Sequence, residues 1–218
     1  MKKLFLFCFT LCIFTSCVKY KDMTLLNGDI DNTGINSNQS YDIRFEKNDI
    51  LEILLISENT EATELFNSKL ESRQSIVSYI SGVAASGGFL INSEGTIELP
   101  YIGEIQAAGL TRTELINQLT EELSEYIIDP IIKVNLLNFK ITILGEVSKP
   151  GAYNIPNEKI DIIQAIAIAG AFTNYSKKKE IHIIREINGE RKEVIINLND
   201  KSVFNSQSFF LKQNDIIY

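Results

Sequence analysis

Cysteine, histidine and net positive charge are all scarce in this 218-residue sequence, and each scarcity removes a class of function. The three cysteines, Cys8, Cys12 and Cys17, lie at the very start, so the rest of the chain has no disulfide framework and no cysteine-based zinc or iron–sulfur site. His182 is the single histidine, which excludes a His-rich metal centre and leaves one candidate base for a Ser-His-Asp triad. His182 sits in an alternating apolar run and reads as structural. The formal charge of −7 lacks the basic footprint of a nucleic-acid binder. Gly82, Gly87 and Gly88 are followed by no Lys-Ser/Thr pair, so a phosphate loop is not supported. Asp29, Asp31 and Gly34 brush a calcium-loop pattern, but Ser40 stands where a bidentate glutamate is needed. Glu121 and Glu122 fall on one helix, not on two sides of a cleft as glycoside hydrolysis requires. No catalytic residue, metal ligand or cofactor is nominated.

A membrane-length apolar run is missing as well. Leu4–Phe14 is almost wholly apolar but far shorter than the ~20 residues that span a bilayer. With Lys2 and Lys3 before it and Thr15-Ser16 after it, the run has the form of a secretory signal peptide. The stretch Phe14-Thr15-Ser16-Cys17 resembles the lipobox of bacterial lipoproteins, with Phe14 where leucine is usual. The resemblance implies cleavage before Cys17 and lipid on that residue; the other reading is a plain secreted protein. Several acyl chains hold a protein to a bilayer firmly, one only weakly.

What remains is 44% hydrophobic and 22% charged, an ordinary globular balance able to bury a core. Residues 17–40 are polar and rich in Asn, Asp, Gly and Ser, the composition of a flexible tether. From Tyr41 the pattern changes. Tyr41–Phe45 and Ile50–Ile56 read as strands. Residues 57–87 read as a long loop with a short helix near Glu64. Phe89–Asn92 and Thr96–Leu99 read as a hairpin around Glu94-Gly95, and Tyr101–Ile105 as a further strand. Thr111-Arg112-Thr113-Glu114 is a capping box, followed by Leu115, Ile116, Leu119, Leu123 and Tyr126 at helical spacing. Pro130 ends that helix, and Ile131–Leu136 returns as a strand.

A second module starts near Phe139. Ile141–Leu144 and Tyr153–Ile155 read as strands around the Pro150-Gly151 turn. Ile160–Ala169 reads as a helix stopped by Gly170. Ile181–Ile184 and Val194–Asn197 form a hairpin around Asn188-Gly189, Lys177–Lys179 a solvated loop, and Ile216–Tyr218 a short final strand. The fold class is α+β: an N-terminal mixed β domain with one long helix, then a β-grasp-like domain.

Two segments resemble a known family. Tyr41–Arg44 with Asn48-Asp49, Gly95–Ile105 with Ala108–Thr111, and Tyr126–Val134 resemble the polysaccharide-export domain. Ile143–Tyr153 resembles the opening of a soluble-ligand-binding (SLBB) β-grasp domain. The resemblance implies a signal peptide at 1–16, a lipidated N-terminus and linker at 17–40, an export domain at 41–138 and the β-grasp domain at 139–218. It implies a lipid-anchored, mainly periplasmic protein of the outer membrane that forms a homo-oligomeric ring and passes capsular or extracellular polysaccharide outward. The usual partner is an inner-membrane chain-length regulator, often with a tyrosine-kinase part, and no enzymatic step is implied. Larger members carry a C-terminal amphipathic helix that lines a pore; Tyr218 ends this sequence without one, so its pore is expected to be made otherwise or the chain to be shortened. The alternative is a monomeric glycan-binding or scaffold lipoprotein. Tyr101 and Tyr153 are candidate contacts with glycan or a neighbouring subunit. Gly145, Pro150 and Gly151 either shape such a contact loop or only set strand direction.

Overall fold

The computed structural model describes residues 25–26, 43–57, 63, 67, 88–100, 102–187 and 189–218. The first module is built on β1 (Ile50–Ile56), whose alternation sends Leu51, Ile53 and Leu55 inward. β1 is flanked by β2 (Phe89–Leu90) and β5 (Ile131–Leu136), both antiparallel to it. β3 (Thr96–Leu99) and β4 (Gly103–Gln106) pair as a separate hairpin. The sequence pattern joins the β2 region to β3 instead. The reason lies in Asn92, whose side-chain oxygen accepts from the Glu94 and Thr96 amides. That turn redirects the chain and frees β2 to meet β1. Gly88 is needed for the meeting, because a Cβ there would lie 2.5 Å from the Ile50 side chain and 3.0 Å from the Leu51 carbonyl.

Helix α1 (Arg112–Leu123) starts at the predicted capping box. The Thr111 hydroxyl accepts from the Glu114 amide, and the Glu114 carboxylate accepts from the Thr111 amide at 2.7 Å. Leu115, Leu119 and Leu123, four residues apart, form its buried stripe against β5. Tyr126, expected on the same face, lies past the helix end and is exposed. Arg44 forms an isolated bridge with Thr111 where the pattern predicts a strand. Of the helix expected near Glu64, only Thr63 and Asn67 are described, both helical.

The second module is a five-stranded sheet packed on one helix. Its strands are β6 (Lys140–Ile143), β7 (Gly151–Asn154), β8 (Ile181–Ile187), β9 (Glu190–Ile196) and β10 (Ile216–Ile217), in the order β7-β6-β10-β8-β9. Thus the short last strand is central, parallel to β6 and antiparallel to β8. Helix α2 (Ile162–Ile168) begins at an Asp161–Gln164 capping box, two residues later than its apolar run suggests. Ile162, Ala165 and Ile166 face the core. One continuous apolar cluster runs from Phe45 through Phe139 to Ile217, so the two modules share a core. The resulting α+β architecture, with a β-grasp-like second module, is the class the pattern implies.

Arg185 points inward from β8 and is 6% exposed. It donates to both oxygens of Asp215, which is fully buried, at 2.9 and 2.6 Å, and to the Phe210 carbonyl. The Lys212 amide also bonds Asp215. Removing one partner of such a pair strands a buried charge. Asp215→Ala should therefore lose about 3–5 kcal/mol of stability. The double replacement Asp215→Leu with Arg185→Met should lose markedly less, as urea unfolding of both variants will measure.

Candidate functional site

The second module carries a half-open cleft at one end of its sheet. Because β10 lies beside β8, Tyr218 comes opposite His182, and their backbones exchange hydrogen bonds of 2.9 and 3.0 Å. Their rings stack at 4.8 Å with 17° between planes. Glu193 on β9 clamps the pair: its carboxylate lies 2.9 Å from His182 Nδ1 and accepts the Tyr218 hydroxyl at 2.6 Å. The Tyr218 and then the His182 hydrogen bond hold the Glu193 carboxyl below its ordinary pKa, and the same carboxylate pushes the Tyr218 hydroxyl up.

The stack forms one wall of a cleft of about 340 Å³. Leu144, Gly145, Val147, Phe172 and Tyr175 complete a largely apolar lining, with Lys177 and Glu180 at the rim. Tyr175 is 85% exposed. Two loops meet here. Val147 bridges Phe172, the Ser148 and Lys149 amides bond the Ala171 and Ala169 carbonyls, and the Thr173 hydroxyl donates to Glu146. Gly145 has φ +78°, a left-handed conformation that costs a side-chain-bearing residue and lets the loop turn against Tyr218. Exposed aromatic faces above a polar rim suit the flat apolar face of a sugar ring. Among the described residues no group of three His, Cys, Asp or Glu side chains is placed to hold a metal.

The sequence-predicted residues divide accordingly. Gly145 lines the cleft. Pro150 leads into β7, which carries Gly151 and Tyr153, and the Tyr153 hydroxyl donates to the Lys149 carbonyl, tying the strand to the loop before it. Tyr101 and Cys17 lie outside the described residues. Sequence reasoning missed Tyr175 and the Tyr218–His182–Glu193 group. The outward phase of His182 on its strand was the available signal, but the stack depends on β10 being inserted beside β8.

A second polar feature joins the modules. The Glu158 carboxylate, 6% exposed, accepts from the Leu136 amide at 2.7 Å and pairs with Arg112 at the start of α1. The Asn138 side chain accepts from the Ile50 amide and donates to the Asn48 carbonyl, while its own carbonyl accepts from Gln213 at 2.7 Å. Beside this seam Asp49 is 2% exposed. Burial raises its carboxyl from 3.8 to about 7, opposed by a hydrogen bond from the Glu46 amide and reinforced by the nearby Glu46 and Glu158 charges.

Comparison with known proteins follows the same division. Residues 37–137 match the family described as polysaccharide biosynthesis/export protein, and residues 139–218 match the SLBB domain. A protein named EPS I polysaccharide export outer membrane protein EpsA, from Ralstonia solanacearum, is 28% identical over 97 residues, 43% of this chain and 26% of that one. The protein of the same name from Ralstonia nicotianae (strain ATCC BAA-1114 / GMI1000) is 27% identical over 92 residues, 41% of this chain and 24% of its own. The Vi polysaccharide export protein VexA/TviF of Salmonella typhi is 28% identical over 101 residues, 44% of this chain and 28% of its own. The chain thus spans about a quarter of the length of the curated relatives it matches.

Two outcomes are expected from the seam. A carboxyl whose folded pKa is raised stabilises the fold fully below its unfolded value, and that contribution is lost as pH rises through the folded value. Stability should therefore fall between about pH 4 and pH 7 through Asp49. Asp49→Asn, which keeps an acceptor for the Glu46 amide, should flatten that fall and be the more stable chain at pH 8, by up to about 3 kcal/mol. Urea unfolding at pH 4, 6 and 8 reads both effects. Glu158→Ala should cost about 2–4 kcal/mol by leaving the Leu136 amide unbonded and Arg112 unpaired, and it should let limited proteolysis cut near residue 138, between two modules that stay individually resistant.

Proposed function

Since the chain belongs to the polysaccharide biosynthesis/export family, we propose that it serves in polysaccharide export across the outer membrane, as a lipid-anchored subunit of a homo-oligomeric ring. The observation that carries this reading is the ordered pair of domains. The match to the export family and the match to the SLBB domain together run from residue 37 to residue 218 with one residue between them. The relatives bear names of polysaccharide export proteins, from different organisms and for different polymers, which supports the export step over any one polymer's chemistry. The anchor is Cys17, behind a short apolar run of signal-peptide form. The task is transport and asks for no catalytic step. The natural partner is an inner-membrane chain-length regulator or its tyrosine-kinase form, which hands the polymer on.

A second reading is a monomeric glycan-binding scaffold lipoprotein, and the cleft with its exposed Tyr175 favours it. The two differ in what the cell loses. Deleting the gene should move polysaccharide from outside the cell to the periplasm. The wild-type chain should restore secretion and Cys17→Ala should not. Unchanged amount and length of extracellular polymer after deletion would sink the export role and promote the scaffold.

A further inference from the structure

Two cavities of the second module share a wall. The cleft beside the Tyr218–His182 stack is lined in part by Ile166 and Phe172. The same two residues line a second, apolar groove of about 140 Å³, which Leu25 and Leu26 border. Leu26 packs on the core cluster, and its amide donates to the Leu198 carbonyl at 3.0 Å, so the N-terminal tether is seated at this groove. The Leu198 amide in turn donates to the Lys178 carbonyl at 2.9 Å. That bond ties the loop carrying Tyr175 and Lys177, both cleft residues, to the point where the tether sits.

The backbone is strained at two residues bordering the groove. Leu26 has φ +57°, and Ala171, which also lines the groove, has φ +66°. In the left-handed region a Cβ crowds the backbone, and neither residue is a glycine, asparagine or aspartate, the kinds that tolerate it. Such residues stay there only while their surroundings impose it, and they concentrate in segments that switch. Ala171 follows Gly170, φ +78°, where a Cβ would come within 3.0 Å of the Ser148 Cβ. The Gly170–Ala171 bend therefore lies tight against the loop that shapes the cleft. It is bonded to that loop as well: the Ser148 amide donates to the Ala171 carbonyl at 3.0 Å, and the Lys149 amide to the Ala169 carbonyl at 2.8 Å. Phe172, next in the chain, bridges Val147 of the cleft lining.

We propose that the seating of the tether and the shape of the cleft are one equilibrium, joined through the Gly170–Ala171 bend and Phe172. With Leu26 in its groove, Ala171 is held left-handed, and Phe172 and the Ser148 loop form the cleft wall. A pull on the tether withdraws Leu26. Withdrawal relieves the strain at Leu26 itself, lets Ala171 leave the left-handed region, and breaks its carbonyl away from the Ser148 amide. Phe172 then moves, and the cleft loses that wall. The coupling is reciprocal, so a molecule that fills the cleft in its present shape also tightens the seating of the tether. This inference goes beyond the export reading and stands whichever ligand the cleft takes.

The test uses the full chain in detergent micelles and two reporters at the cleft. His182 is the single histidine and lines the cleft, so its ring gives one assignable NMR signal there. The Ser148 amide, bonded to Ala171, reports the bend through hydrogen exchange. Leu26→Ser should speed Ser148 exchange about tenfold and move the His182 signal, while exchange at the fully buried Ile183 of β8 stays as in the wild type. Ala171→Gly removes the strain at the bend, so in that background Leu26→Ser should leave both reporters almost unmoved. If Leu26→Ser also speeds exchange at Ile183, Leu25→Ser is read in its place; Leu25 borders the same groove and is 44% exposed, and it should move the two reporters in the same direction by less. Reporters that ignore the tether variants overturn the proposal. Equal responses with and without Ala171→Gly overturn it too, since the effect would then bypass the bend.

Discussion

A carboxylate from one module buried inside another is a demanding arrangement, and Glu158 is held in it from both ends. Its backbone takes the left-handed conformation, φ +56°, which a glutamate adopts only when its surroundings fix it. Its side chain satisfies the Leu136 amide, the last of β5, and pairs with Arg112, the first residue of α1. Strand and helix of the first module are thus gripped at one point by a turn of the second. Without that grip the shared apolar cluster from Phe45 to Ile217 would have to hold the modules in register by shape alone. Asn138 and Gln213 add polar bonds on the other side of the joint, so the interface is fixed by direction as well as by area.

Much of the first module was legible because its signals are local. The Thr111–Glu114 capping box places the start of α1 to the residue, and the period-2 alternation of Ile50–Ile56 and Ile131–Leu136 declares which side is buried. Pairing was less legible, since it is not a local property. Nothing in Phe89–Leu90 says that its partner is β1 and not β3; that follows from the turn made by Asn92 and the missing Cβ of Gly88. Likewise Gly145 and the Pro150-Gly151 turn stand out in the sequence, while Tyr175 is an unremarked residue in a polar loop. Its place in the cleft comes from the Phe172–Val147 bridge, made between segments 25 residues apart. The Tyr218–His182 stack was equally hidden, because it needs the strand order of the whole sheet.

Charge is distributed with the same economy. Arg185 and Asp215 neutralise each other in the core, Glu193 is spent on fixing two rings, and Glu114 serves both its helix cap and Arg44. Each of these acidic side chains acts as a fastener, joining groups that the backbone alone leaves unpaired.

The central position of β10 has a consequence for how the second module opens. β6 and β8 are far apart in sequence and, among the described residues, are joined in the sheet through Ile216 and Ile217 of β10. With β10 unseated, the β6–β7 and β8–β9 hairpins face each other with raw edges, each a template for wrong pairing. A two-residue strand is thereby the latch of the whole sheet: loosening it exposes two edges at once, so the second module comes apart as a unit and not strand by strand.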